Sequence, residues 1–217
     1  MSTDVLDRQP PPVTTGGGGP PAPPAPGDGG GRPEGGGSLL SDPPRFGLWL
    51  FLATVTMLFL GFTSAYMLRR SGGDWRPLPV PGWLWASTAL LIASDVTLES
   101  ARRRLRGFDV AGATRWLALT GALGAGFVAG QLAAWNELAR AGYFLATNPH
   151  NSFFYLLSGV HGFHVVSALI WFCVVYLRAR ALTLVPGSGR DGLRLFATFW
   201  HYLAGLWVYL LILLFAF

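Results

Sequence analysis

Phe46-Gly-Leu-Trp-Leu-Phe-Leu-Ala-Thr-Val-Thr-Met-Leu-Phe-Leu-Gly-Phe-Thr-Ser-Ala-Tyr-Met-Leu68 runs without a single charged side chain. A bilayer core about 30 Å thick needs about 20 apolar helical residues, so this stretch reads as a membrane-spanning helix. Four more segments have the length: about Pro81–Glu99, Trp116–Leu138, Ser152–Leu177 and Leu193–Phe217. Pro81 suits a helix start. The fold class that follows is all-α, an integral membrane bundle of five transmembrane helices over residues 46–217. The composition agrees: 51% of the 217 residues are hydrophobic and 12% charged, about half the charge of an ordinary soluble domain. Mean hydropathy is +0.41.

Residues 1–45 are of another kind. Glycine and proline make up 22 of these 45 positions, a low-complexity composition that supports neither helix nor strand. A disordered tail is expected here. It has no basic start followed by an apolar run and a small-residue cleavage site, so it does not read as a signal peptide.

All 16 basic residues are arginine, and the formal charge is +5. Such a balance suits nucleic acid when it is gathered on one face. Here the arginines fall in short loops between apolar blocks, so they read as charges that orient the chain in a membrane and not as a nucleic-acid surface. With five spans, the tail and the 2–3 and 4–5 loops share one side. That side carries Arg45, Arg102, Arg103, Arg104, Arg106, Arg115, Arg178, Arg180, Arg190 and Arg194, against Arg69, Arg70, Arg76 and Arg140 on the other. Loops rich in arginine stay in the cytoplasm, which places the tail inside and Phe217 outside. Trp75, Trp83, Trp116, Trp135 and Tyr143 fall near span ends, as interfacial anchors do. The lone cysteine, Cys173, permits no intrachain disulfide and no cysteine-based metal site.

Polar groups inside hydrocarbon are costly, so each is a candidate site. Asp95 and Glu99 are four apart, on one face near the cytoplasmic end of span two, and Glu99 precedes Arg103 by four, a favourable helical pair. They read either as an interfacial charge cluster or as a carboxylate rim that collects protons. Gln131, Asn136 and Glu137 lie in the outer half of span three and suit bonding across helices or to interfacial water. His161 and His164 share a face of span four, with Ser158 and Ser167 nearby. His164 lies about 18 Å from the outer start of its span and His201 about 12 Å from the inner start of span five. These depths coincide, so the two imidazoles are expected to meet and lock spans four and five. Structural hydrogen bonding, metal or haem ligation, and proton relay all stay open for the three histidines. Gly121, Ala125, Gly126, Ala129, Gly130 and Ala133 form a small-residue stripe that lets another helix approach closely. No nucleophile–base pair, phosphate-cradling loop or metalloprotease signature occurs, so no catalytic or metal-ligating residue is assigned.

Several motifs resemble subunit III of the haem–copper oxidases, the cytochrome c oxidase subunit 3 family. Span one has Gly47-Leu-Trp-Leu-Phe-Leu-Ala-Thr54, Met57-Leu-Phe59 and Ser64-Ala-Tyr66. Span two ends in Ala93-Ser-Asp-Val-Thr-Leu98, and span three carries Gly130-Gln131. Span four has Ser152-Phe-Phe-Tyr-Leu-Leu-Ser-Gly-Val-His-Gly-Phe-His-Val165, and span five has Trp200-His-Tyr-Leu-Ala-Gly-Leu-Trp207. The double-histidine and Trp-His motifs are the specific ones. Three departures stand out. Residues 46–217 match the last five of the family's seven helices, with the Gly/Pro segment in place of the first two. Val55 stands where many members carry a buried Glu, and Ala204 where the last motif has Asp.

The resemblance implies an accessory subunit without a redox centre of its own. It would pack beside the haem- and copper-bearing subunit I and subunit II of a proton-pumping oxidase in a bacterial cytoplasmic membrane, stabilise subunit I and sustain proton uptake. No cofactor is expected on this chain, while a structural phospholipid is allowed. Within the family, a quinol oxidase subunit or a protein attached to a nitric oxide reductase is the alternative. An independent transporter predicts internal repeats and broken helices, and neither is seen. A haem-carrying membrane subunit would show itself by a Soret band.

Overall fold

The computed structural model describes residues 43–72, 80–144, 148–180 and 188–215. The predicted tail up to Asp42, Trp75, Arg76 and Phe217 lie outside them. Five helices follow one another: α1 (Pro43–Arg70), α2 (Gly82–Arg106), α3 (Val110–Arg140), α4 (Pro149–Arg180) and α5 (Ser188–Phe215). α1, α3 and α4 contain the whole of their expected stretches and run past them, while α2 starts one residue after Pro81 and α5 is described as far as Phe215. Pro81 caps α2 from outside and does not open it. At its other end α2 continues seven residues beyond Glu99, through the arginine-rich turn to Arg106.

Four helices, α1, α3, α4 and α5, are long and apolar enough to cross a membrane. The fifth expected span, α2, has the length but not the hydropathy. The reason lies in what it buries: Ser87, Thr88, Ser94 and Thr97 all face inward. In lipid the apolar face of a helix points outward and polar groups seek partners inside, so a helix rich in inward hydroxyls scores low while fitting a bundle.

α5 touches α1, α2 and α4, α4 also touches α1 and α3, and α2 lies along α3. The core is aromatic and leucine-rich, with Trp200, Trp207, Phe127, Phe154 and Phe196 fully enclosed. Val55 is part of it, in one buried cluster with Leu52 and Phe59. The outward faces stay apolar: Met57 and Leu68 on α1 and Phe163, Ile170 and Leu177 on α4 are well exposed.

The small-residue stripe of α3 does bring neighbours close, but not at every predicted position. A Cβ on Gly121 would stand 2.5 Å from the Phe172 ring of α4, and one on Gly130 would stand 2.8 Å from Ser87 Cβ of α2. Gly126 approaches Leu90 of α2 more loosely, at 3.3 Å. Ala125 is exposed in this chain. Its neighbour Gly124 lies against Trp200 and Leu169. The close approaches fall on two sides of α3: Gly121 and Gly124 meet α4 and α5, and Gly126 and Gly130 meet α2.

Candidate functional site: a polar seam along α2

Hydroxyls on α2 follow one pattern. Ser87 and Thr88 donate to Leu84 O at 3.0 and 2.6 Å, and Ser94 donates to Leu91 O at 2.7 Å. Each hydroxyl thus spends its one hydrogen on its own helix and presents lone pairs to a neighbour. The neighbours supply donors. Gln131 Nε2 of α3 donates to Ser87 Oγ at 2.8 Å. Trp200 Nε1 of α5 donates to Ser94 Oγ at 3.1 Å, and Trp207 Nε1 to Thr88 Oγ1 at 3.0 Å. Thr97 and Thr120 share a hydroxyl contact of 2.9 Å. The two tryptophans are seven residues apart and their acceptors six, which fixes the antiparallel register of α5 on α2.

Asp95 and His201 extend this seam. Asp95 Oδ1 lies 2.6 Å from His201 Nδ1, with the side chains 31% and 37% exposed. The pair is a carboxylate–imidazole hydrogen bond that ties α2 to α5. Glu99, one turn further, turns away to the arginines: Arg102 at 2.7 Å, Arg103 at 3.5 Å and Arg106 at 3.7 Å. Asp95 and Glu99 therefore share a face but not a partner.

The expected meeting of His164 with His201 does not occur among the described bonds. His164 Nδ1 donates to Val160 O of its own helix at 2.8 Å, and its ring sits among Phe51, Phe59 and Phe163. The rotations of the two helices keep them apart: His201 faces α2, and His164 faces α1. Spans four and five are joined instead by His161, which stacks on Trp207 at 5.1 Å between centroids, and by His150, whose Nε2 donates to Leu214 O at 3.2 Å. His161 is wholly buried, and neither ring nitrogen has a hydrogen-bond partner among the described residues. Ser158 bonds to Phe154 O and Ser167 to Phe163 O, both within α4. Asn136 and Glu137 are exposed.

Sequence reading passed over His150, Trp200 and Trp207 as partners, and with them the hydroxyls of α2. The signal was present for the tryptophans, whose seven-residue spacing puts both indoles on one face of α5. Among the described residues no three His, Cys, Asp or Glu side chains gather as metal ligands would.

The motifs that carry this seam, Ser94-Asp-Val-Thr97 and Trp200-His201, lie within residues 39–217, which match the family model described as Cytochrome c oxidase subunit III. The chain belongs to that family. Cytochrome c oxidase subunit 3 of Synechocystis sp. is 32% identical over 182 residues, covering 80% of this chain and 76% of that protein. Cytochrome c oxidase subunit 3 of Bacillus sp. strain PS3 is 29% identical, with 76% and 81% covered. The cytochrome bo(3) ubiquinol oxidase subunit 3 of Pseudomonas putida is 28% identical, with 75% and 80% covered. This is a membrane protein of the haem–copper oxidase group, and the hydrogen-bonded α2–α5 contact falls on those motifs.

Proposed function

We propose that the chain serves as a non-catalytic subunit III of a proton-pumping terminal oxidase, packed beside subunits I and II in a bacterial cytoplasmic membrane. Haem and copper reside in the partners, which carry the reduction of oxygen. The N-terminal tail lies in the cytoplasm and the end of α5 outside. Membrane lipid covers what the partners leave free.

The observation that carries this reading is the destination of the interior polar groups. Ser87, Thr88, Ser94, Thr97, Gln131, Trp200 and Trp207 hold helices to one another, as suits a scaffold. The Asp95–His201 pair is different, because it is only half-buried and stands beside the Glu99–arginine cluster. Carboxylates and imidazoles within a membrane pass protons along hydrogen bonds, and Glu99 lies a turn nearer the arginine-rich end of α2 than Asp95. Asp95 and Glu99 thus serve as a rim that supplies protons to the entrance of subunit I.

The test is the Asp95→Asn/Glu99→Gln double variant in the assembled oxidase. Slower turnover or faster inactivation at high pH is expected. Turnover equal to that of the parent across the alkaline range would remove the uptake role, while co-purification of the chain with haem-bearing partners tests the subunit assignment separately. The quinol-oxidase alternative draws on the Pseudomonas putida relative. A copper-binding subunit II encoded alongside favours cytochrome c as donor.

A further inference from the structure

Gln131 Oε1 and Trp135 Nε1 of α3 are buried without a hydrogen-bond partner among the described residues, and so are both ring nitrogens of His161 on α4. Polar atoms enclosed in a protein are nearly always paired, either with protein or with ordered water. Turning the side chains over does not remove the deficit. Ser87 Oγ gives its hydrogen to Leu84 O and can only accept from Gln131, so the amide nitrogen has to face it. Gln131 Oε1 therefore needs another donor. His161 lies face-on to Trp207 and perpendicular to Phe127. Its nitrogens lie in the ring plane, where stacking on Trp207 does not serve them.

The three side chains stand at one level. α3 and α4 are antiparallel, with Gly121 against Phe172, Gly124 against Leu169 and Trp135 against Gly159. That register sets Gln131 opposite His161 and Gly162. Phe127, one turn before Gln131, packs on His161, and Trp135 follows Gln131 by one turn, so the group fits within about two turns of α3. There is room beside it. Gly159, Gly162 and Leu169 share a flank of α4. A Cβ on Gly159 would touch Trp135 at 3.5 Å, and Leu169 touches Gly124, but a Cβ on the half-buried Gly162 would meet nothing within 4 Å.

We propose that this α3–α4 junction is an internal water site. One water accepts from Trp135 Nε1 and donates to Gln131 Oε1 and to the unprotonated nitrogen of His161, and about three bonds is what a buried water makes. The N–H of His161 goes to a second molecule. That molecule donates to Ser158 Oγ, whose own hydrogen is spent on Phe154 O. The set contains donors and acceptors without a formal charge, which suits water and not an ion. An acyl chain in the same place would leave every one of these atoms bare. The site lets Gln131 stay directed at Ser87 and His161 stay stacked on Trp207, where α2, α3, α4 and α5 come together. The inference needs neither the oxidase partners nor the proton-supplying rim.

The test uses the full chain in proteoliposomes with isotope-labelled tryptophan and histidine, read by solid-state NMR with magnetisation transferred from water protons. The Trp135 indole and the His161 ring are expected to receive that transfer ahead of Trp200 and Trp207, whose N–H groups are bound to Ser94 and Thr88. His161→Phe keeps a ring against Trp207 and should abolish the transfer at Trp135 while leaving Trp200 as it was. Transfer to Trp135 and His161 no faster than to Trp200 and Trp207 in the parent chain would overturn the proposal, and this readout needs no variant to fold. Undiminished transfer at Trp135 in folded His161→Phe would overturn the shared site. Xenon taken up beside these residues would mark a dry void and overturn it too.

Discussion

Trp207 shows how a single side chain ties the helices together. Its indole donates to Thr88 and carries the His161 ring on its face, so one residue joins α5 to α2 and to α4. Trp207→Phe keeps most of the apolar volume and deletes the donor. Interhelical hydrogen bonds in membranes are worth about 0.6 kcal/mol on average, so a loss of about 1 kcal/mol is expected, read as a lower unfolding midpoint in detergent. Trp49→Phe, at a position 53% exposed, should leave the midpoint where it is. The Asp95–His201 bond can be weighed by a double-mutant cycle with Asp95→Asn and His201→Phe. As an interhelical hydrogen bond within a membrane bundle, the pair is expected to show a coupling of about 0.6–1.7 kcal/mol.

At the scale of helices, close approach and capping govern what holds. Gly130 lets the α3 backbone reach Ser87 of α2. Gly130→Val forces the helices apart and should cost about 1–3 kcal/mol, whereas Gly205→Ala, in open space, should be harmless. At the start of α3, Asp109 accepts the Gly112 N–H at 2.8 Å and pairs with Arg104 at 2.9 Å. These two bonds hold its carboxyl below the usual carboxylate range. A carboxylate with a depressed folded pKa stabilises at pH values above its unfolded pKa, and that contribution fades as pH falls through the folded value. Asp109→Ala should therefore lower the melting temperature at neutral pH, with the gap from the parent closing in acid.

The same scale explains what the sequence disclosed. Long uncharged runs such as Phe46–Leu68 declare a span by themselves, because the bilayer imposes one length. Small-residue periodicity pointed to α3, whose glycines Gly121, Gly126 and Gly130 stand close to Phe172, Leu90 and Ser87. The pairing of His164 with His201 failed because depth is readable from residue counts, while rotation about the helix axis depends on neighbours that only tertiary packing supplies. The role of α2 was hidden for a related reason: its hydroxyls read as polar in composition and become inward acceptors only when Trp200, Trp207 and Gln131 stand opposite.

For the whole molecule, everything about sidedness turns on whether α2 crosses. By composition alone four helices qualify, and four crossings would return both ends of the bundle to one side. Five crossings put the start of α1 and the end of α5 on opposite sides. The seam favours five: Ser87, Thr88, Ser94 and Thr97 span more than two turns of α2, and their bonds to Gln131, Thr120, Trp200 and Trp207 keep α2 alongside α3 and α5 through that depth. A helix lying on the surface could not match Trp200 to Ser94 and Trp207 to Thr88 together. With Cys173 replaced by serine, single cysteines at Phe46 and at Phe215 should label from opposite faces of sealed vesicles with an impermeant maleimide. Phe46→Cys should react from the cytoplasmic side, as the arginine excess requires. Labelling of both from one side would remove α2 from the membrane, and with it the cytoplasmic address of the Asp95–Glu99 rim.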